Sequence, residues 1–171
     1  RDQAIASNYL NMLSQVEPNF HLDQRRPGMK FLLNRIKKSK APVRILDFGA
    51  GLGAIHDAIS SIDNKFDRDA YEITLFDTPE MIAELAKSQK YESKRTETVL
   101  CDSLDNLASK KFDIVYAGSS LQYVENYNLV LDLFFQSSAL VVLEDTPCSN
   151  LPTFANQQLN LGESILPAWV F

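Results

Sequence analysis

Alternation of short apolar segments with amphipathic ones predicts an α/β domain, a doubly wound and mostly parallel sheet with helices on both faces. Two observations carry this. From Val43 onward there are five short apolar runs, several near-continuous in Ile, Val and Leu: Val43 to Phe48, Tyr71 to Phe76, Thr96 to Leu100, Phe112 to Ala117 and Ala139 to Leu143. That is the composition of strands covered on both faces. Between them the apolar spacing changes from strand-like to helical.

The elements follow in order. Residues 1–42 read as an N-terminal helical extension or lid, ahead of a ligand-binding domain over residues 43–171. Its first helix runs near Ala4 to Gln15. Its second follows Pro27, with Leu32, Leu33 and Ile36 on one face and then Lys37, Lys38 and Lys40 near its end, where positive charge suits the helix dipole. The lysines read as a solvated helix end. After the first strand, Ile55, Ala58, Ile59 and Ile62 form one helical stripe. After the second, Thr78 caps a helix with Pro79 in its first turn and Ile82, Leu85 and Ala86 on its inner face. A third helix, Tyr123 to Gln136, has an apolar face of Leu129, Val130, Leu133 and Phe134, and the adjoining Phe134-Phe135 pair reads as core. After Asp145 only Ile165 to Phe171 is strand-like, so the final strands of the sheet are expected to be missing or replaced.

Composition narrows the function. The 171 residues suit one well-buried domain. A net charge of −5 argues against a nucleic-acid binder, and no apolar run approaches a membrane span. Cys101 and Cys148 stand far apart with no CxxC, which excludes a disulfide framework and predicts no metal site. With no leader sequence and no N-x-S/T sequon, the cytoplasm is the expected location. The chain opens on Arg1 and stops on the apolar Pro167 to Phe171, as a fragment would.

In open α/β sheets ligands sit beyond the carboxyl ends of the strands. The first strand runs through Asp47-Phe48 into Gly49-Ala50-Gly51-Leu52-Gly53-Ala54. The others end on Asp77-Thr78, Cys101-Asp102-Ser103, Gly118-Ser119-Ser120 and Glu144-Asp145-Thr146. Any one of these could be an ordinary turn; together they form a polar rim. The glycines permit a sharp strand-to-helix turn, backbone approach by a ligand and close helix packing, and the helix start offers N–H donors to an anionic group. Asp77 is placed to accept hydrogen bonds from a ribose diol.

Asp47 to Gly53 resembles motif I of the class I S-adenosylmethionine-dependent methyltransferases, which have a Rossmann-like sheet. Leu75 to Met81, Leu100 to Leu104 and Phe112 to Ala117 resemble their second motif, third motif and fourth strand. Tyr116 to Val124 also resembles a bacterial methyltransferase family linked to surface-polysaccharide gene clusters. The resemblance covers about Val43 to Thr146. It implies S-adenosyl-L-methionine as cofactor, S-adenosyl-L-homocysteine as product, and a small-molecule or saccharide acceptor. The loop with Phe48, Gly49, Ala50, Gly51 and Gly53 would hold the methionine part, Asp77 and Thr78 the ribose, and Asp102 with Ser103 the adenine. Asp47 would orient the loop or reach the amino group through water, and Ser119 would line the side shared by methionine and substrate. The family's sheet has seven strands, of which five are clear here.

An oxygen or nitrogen acceptor needs a base within hydrogen-bond reach. His56, Tyr123, Glu144 and Asp145 are the candidates. His56 reads as an exposed helix position and Tyr123 as a half-buried helix start. His21 precedes the domain and reads as surface. Gly118-Ser119-Ser120 lacks the GxSxG spacing of a hydrolase, and Asp67-x-Asp69 is too sparse for a calcium loop. Two other functions fit the residues: an NAD-dependent oxidoreductase, since Gly49 to Ala54 also fits GxGxxA, and a methyltransferase-like module without catalysis.

Overall fold

A computed structural model describes residues 27–51, 53, 55–56, 58–59, 71–87, 97–159 and 165–171. The Ala4–Gln15 helix, His21, Ile62 and the Asp67–Asp69 turn lie outside these residues.

Helix α1 (Pro27–Lys38) leads into strand β1 (Val43–Phe48); Ile55, His56, Ala58 and Ile59 are helical. Then come β2 (Tyr71–Phe76), α2 (Pro79–Lys87), β3 (Glu97–Cys101), the short α3 (Leu104–Ala108) and β4 (Ile114–Gly118). A 3-10 turn (Leu121–Tyr123), α4 (Tyr127–Ser137), β5 (Val141–Glu144), β6 (Phe154–Leu159) and β7 (Ile165–Val170) complete the order. The five-stranded sheet has the order β3-β2-β1-β4-β5, and every pairing in it is parallel. The order reverses beside β1, which makes the carboxyl ends of β1 and β4 the switch point where such sheets open a crevice.

Strand alternation sorts the core into two layers. Val43 and Ile45 of β1 pack on one face with Leu32, Leu33 and Ile36 of α1, Ile55 and Ile59, and Leu85 of α2. Leu46 and Phe48 pack on the other with Leu107 of α3, Leu121, and Val130 and Phe134 of α4. Phe48 stacks on Phe76 at 4.8 Å and meets Phe134 edge-on at 4.9 Å.

Helix faces depart from the sequence expectation in two places. Tyr123 belongs to the 3-10 turn and α4 begins at Tyr127, so its buried face is Val130, Phe134 and Ser137. Leu129 is 61% and Phe135 67% exposed, outside the core where the sequence had placed them. In α2 the buried residues are Met81 and Leu85, while Ala86 faces solvent. Among the described residues the five-stranded sheet gains no further strands, and the segment after β5 forms a separate pair, the replacement the sequence allowed for. β6 and β7 pair antiparallel, as a two-stranded sheet of their own rather than as an extension of the five. Aromatic contacts hold the hairpin in place: Tyr127 meets the rings of Trp169 and Phe171 edge-on, and Trp169 Nε1 donates to the Val124 carbonyl at 2.9 Å. The Phe171 N–H donates to the Pro147 carbonyl at 3.0 Å, tying the end of the chain to the loop after β5.

Candidate functional site

Beyond β1 the backbone turns through three left-handed glycines, Gly49 (φ 73), Gly51 (φ 54) and Gly53 (φ 73). The Gly49 and Ala50 N–H groups donate to the Phe76 carbonyl at 2.8 and 3.0 Å, which fastens the loop to the end of β2. Gly49 admits no side chain, because a Cβ there would lie 2.3 Å from the Cβ of Ser120. Ser120 in turn donates its hydroxyl to the Phe48 carbonyl at 2.8 Å, so the loop after β4 clamps the loop after β1.

Asp77 closes the glycine loop from the other side. Its Oδ2 accepts from the Gly51 N–H at 2.8 Å and its Oδ1 from the Thr78 N–H at 2.7 Å. Burial raises its pKa, and these two bonds oppose the rise. Each carboxylate oxygen retains a second lone pair for a ligand hydroxyl. Thr78 stands at the start of α2, where its hydroxyl lies 3.4 Å from the Met81 N–H.

Asp47 is 4% exposed and faces the α1 side of the sheet, in register with Tyr116. Burial first, and the charge of Asp77 second, push its carboxyl up to about 8. At neutral pH it is therefore a buried neutral acid, able to donate a hydrogen bond as well as accept one. Phe48 turns its ring into the core and offers the loop only its backbone. Ala50 and Gly53 are buried, Asp102 is exposed and Ser103 half-buried before α3.

On the β4 and β5 side, Ser119 and Asp145 are exposed at the ends of neighbouring strands. The Ser119 N–H donates to the Glu144 carbonyl at 2.8 Å. Glu144, weighed from sequence as a base, is 8% exposed and engaged elsewhere. Its Oε1 accepts from the Gly28 N–H at 2.8 Å at the start of α1, and its Oε2 from the Tyr116 hydroxyl. The Tyr116 ring reaches it across Gly118, where a Cβ would lie 2.7 Å from Tyr116 Cε1. Glu144 thus fixes α1 to the sheet. His56 is 3% exposed, contrary to the exposed position expected of it, and Tyr123 is 41% exposed.

The structure thus gathers the glycine loop, Asp47, Asp77, Ser119 and Asp145 along the carboxyl ends of β1, β2, β4 and β5. Sequence reasoning missed Ser120 as the seat of Gly49 and the Tyr116–Glu144–Gly28 bond set. It also missed Gln122, 4% exposed, whose Oε1 has no hydrogen-bond partner. The only local signal for the first was a small residue after the strand-ending Gly118. The other two depend on tertiary packing. Among the described residues no group of three or more His, Cys, Asp or Glu could hold a metal ion, and no helix is long and apolar enough to cross a membrane.

No curated protein matches the sequence. Among solved structures, the fold is similar to that of the DhpI–SAM–HEP complex, at 17% identity and a TM-score of 0.58, covering 99% of this chain and 78% of that one. It is similar to the CurJ carbon methyltransferase at 20% identity and a TM-score of 0.53, covering 69% of this chain and 34% of that one. The YcgJ protein of Bacillus subtilis gives 15% identity and 0.51, covering 72% and 52%. The chain therefore spans about a third of CurJ and about half of YcgJ. The family model described as a methyltransferase domain matches residues 46–136, more than half of the chain and the whole stretch from the end of β1 to α4. The chain belongs to that family, the methyltransferase domains.

Proposed function

We propose that this chain is the donor-binding domain of a cytoplasmic S-adenosyl-L-methionine-dependent methyltransferase acting on a small-molecule or saccharide acceptor. The observation that carries the reading is the left-handed glycine turn after β1, joined by the Gly51 N–H to Asp77 at the end of β2, inside a methyltransferase family match.

The residues fit the donor chemically. A turn through three left-handed glycines leaves the loop without side chains at 49, 51 and 53, which suits close backbone approach, and Asp77 supplies acceptor lone pairs to a ribose diol. Under this reading the Gly49–Gly53 loop holds the methionine part, Asp77 and Thr78 the ribose, and Asp102 with Ser103 the adenine. Asp47 steadies the loop as a neutral acid. When bound, the donor supplies a methyl group activated by its sulfonium sulfur. The protein's own contribution is then chiefly alignment, which can supply several kcal/mol. A saccharide acceptor is favoured by the likeness of Tyr116 to Val124 to the polysaccharide-linked family.

Calorimetric titration with S-adenosyl-L-homocysteine, with NAD in parallel, tests the proposal. Binding of the first alone is expected, weakened about 10- to 100-fold by Asp77→Ala through loss of charge-assisted hydrogen bonds. NAD binding without S-adenosyl-L-homocysteine binding would replace this reading with the oxidoreductase one.

A further inference from the structure

We infer that a cavity at the amino ends of β1, β2 and β3 is a second ligand site of this domain, one for a small phosphate monoester with an apolar body. The glycine loop and its carboxylates stand at the other ends of the same strands, so the inference does not depend on the methyltransferase reading.

The cavity arises because one helix is short. Arg44 pairs in register with Glu72, Leu46 with Thr74 and Thr74 with Val99, so strand alternation puts all of them on the Leu46 face of the sheet. Helix α3, which packs Leu107 on that face, has five residues, about 7.5 Å of helix. A six-residue strand such as β2 is more than twice as long, at about 3.3 Å per residue. The chain leaves β3 at the carboxyl ends, forms α3 and returns to the amino ends through Lys110, Lys111 and Phe112. These three, with Arg44, Glu72, Thr74 and Val99, line the space that α3 is too short to fill, about 260 Å³.

The polar groups on its walls favour an anion. Arg44 is already spent, its Nε and Nη2 donating to the two oxygens of Asp113 at 3.2 and 3.3 Å. Lys111 Nζ donates to the Gln136 carbonyl at 2.8 Å, which leaves its charge unneutralised. Lys110 is half-buried, and its ammonium has no hydrogen-bond or ion-pair partner among the described residues. Thr74 is 7% exposed, and no described residue bonds its hydroxyl. The walls therefore offer two ammonium charges and an unused buried hydroxyl, but no free guanidinium fork. Planar carboxylates are best held by such a fork, whereas lysine binds phosphate as a point charge. A phosphate monoester carries about −1.5 to −2 near neutral pH and three acceptor oxygens. Val99 and Phe112 supply apolar wall for its body. At about 30 Å³ per water the cavity has room for about nine waters, which suits one small ring and its phosphate rather than a nucleotide.

Calorimetric titration of the full chain with phenyl phosphate, inorganic phosphate and benzoate tests the site. Phenyl phosphate should bind, with the other two about tenfold weaker because each lacks the ring or the second charge. Lys110→Gln should weaken phenyl phosphate about fivefold, and Glu72→Gln, which removes the one carboxylate on the walls, should tighten it about threefold. Thr74→Val should weaken it about threefold without lowering the urea midpoint, since the hydroxyl has no partner in the protein. Lys30→Gln, the same charge change on the exposed side of α1, should leave binding within twofold. No binding of phenyl phosphate, equal binding of inorganic phosphate or benzoate, or an equal loss in Lys30→Gln would overturn the assignment.

Discussion

At the ends of β1 and β2 a buried carboxyl, Asp47, is held in a site that pushes it up to about 8. At the ends of β4 and β5 the buried carboxylate, Glu144, is met by the Gly28 N–H and the Tyr116 hydroxyl. Its neighbour Asp145 is turned out to solvent. The same edge of one sheet therefore treats its acids in opposite ways. On the β1–β2 side burial sets the protonation state, and the glycine turn determines what backbone can reach. On the β4–β5 side one acid does the structural work and strained backbone presents the other. A buried acid is a poor guide to function unless its donors are counted.

The largest effect is expected where the two sides touch. Gly49→Ala combines left-handed strain with a Cβ 2.3 Å from that of Ser120. Together these should destabilise by about 2–5 kcal/mol in urea unfolding. Adding Ser120→Gly should recover the part due to collision and leave the part due to strain. If the double variant were no more stable than the single one, the clamp between the two loops would not be what excludes a side chain.

Asp47→Asn separates the two kinds of acid by pH. Below the ordinary carboxylate value of about 4, Asp47 is protonated in both folded and unfolded chains and contributes nothing. Between there and about 8 the unfolded chain releases its proton while the folded chain keeps it. Stability therefore falls as pH rises, by up to about 1.4 kcal/mol per unit. Above that window both states are ionised and the loss is constant. The asparagine variant should thus be alike to the parent near pH 4 and gain on it progressively as pH rises to about 8. A gain that did not vary with pH would show that packing, not protonation, separates the two.

For the other side, Tyr116→Phe leaves Glu144 with one of its two donors and should cost about 1–2 kcal/mol. The loss should appear as faster hydrogen exchange at the Gly28 amide, because Glu144 is what holds that N–H. Unchanged exchange there would mean that α1 is held by its apolar face alone.

These contrasts also mark what was legible in the sequence. The strands and the glycine turn were readable because their signals are local: runs of Ile, Val and Leu, and glycines where φ is positive. On α4 the sequence placed Val130 and Phe134 inward correctly but also Leu129, which is exposed: apolar character marked the residue, and only the packing decides which edge of a broad apolar face is covered. Strand β6 was missed because Ala155, Asn156 and Gln157 carry no apolar alternation and the strand pairs only with β7. The Glu144–Gly28 bond joins residues 116 apart, and no local pattern announces it. Asp145 was visible as a strand-end acid. Its left-handed backbone was not, since aspartate tolerates that region but adopts it at few of its positions.

The smallest effect has the most informative sign. Replacing Asp145 by glycine raises the entropy of the unfolded chain, which by itself should destabilise by about 0.4–1 kcal/mol. It also removes the left-handed strain, of about 1–2 kcal/mol for an L-residue. If the strain at φ 51 is held by the surrounding fold, relief wins and Asp145→Gly is more stable by about 0.5 kcal/mol. Ser119→Gly should gain slightly more, because serine is less at ease in that region than aspartate. A loss at both positions would mean that the turns after β4 and β5 are relaxed. The strain there could not then be what presents the pair, and the contrast between the two sides would reduce to burial alone.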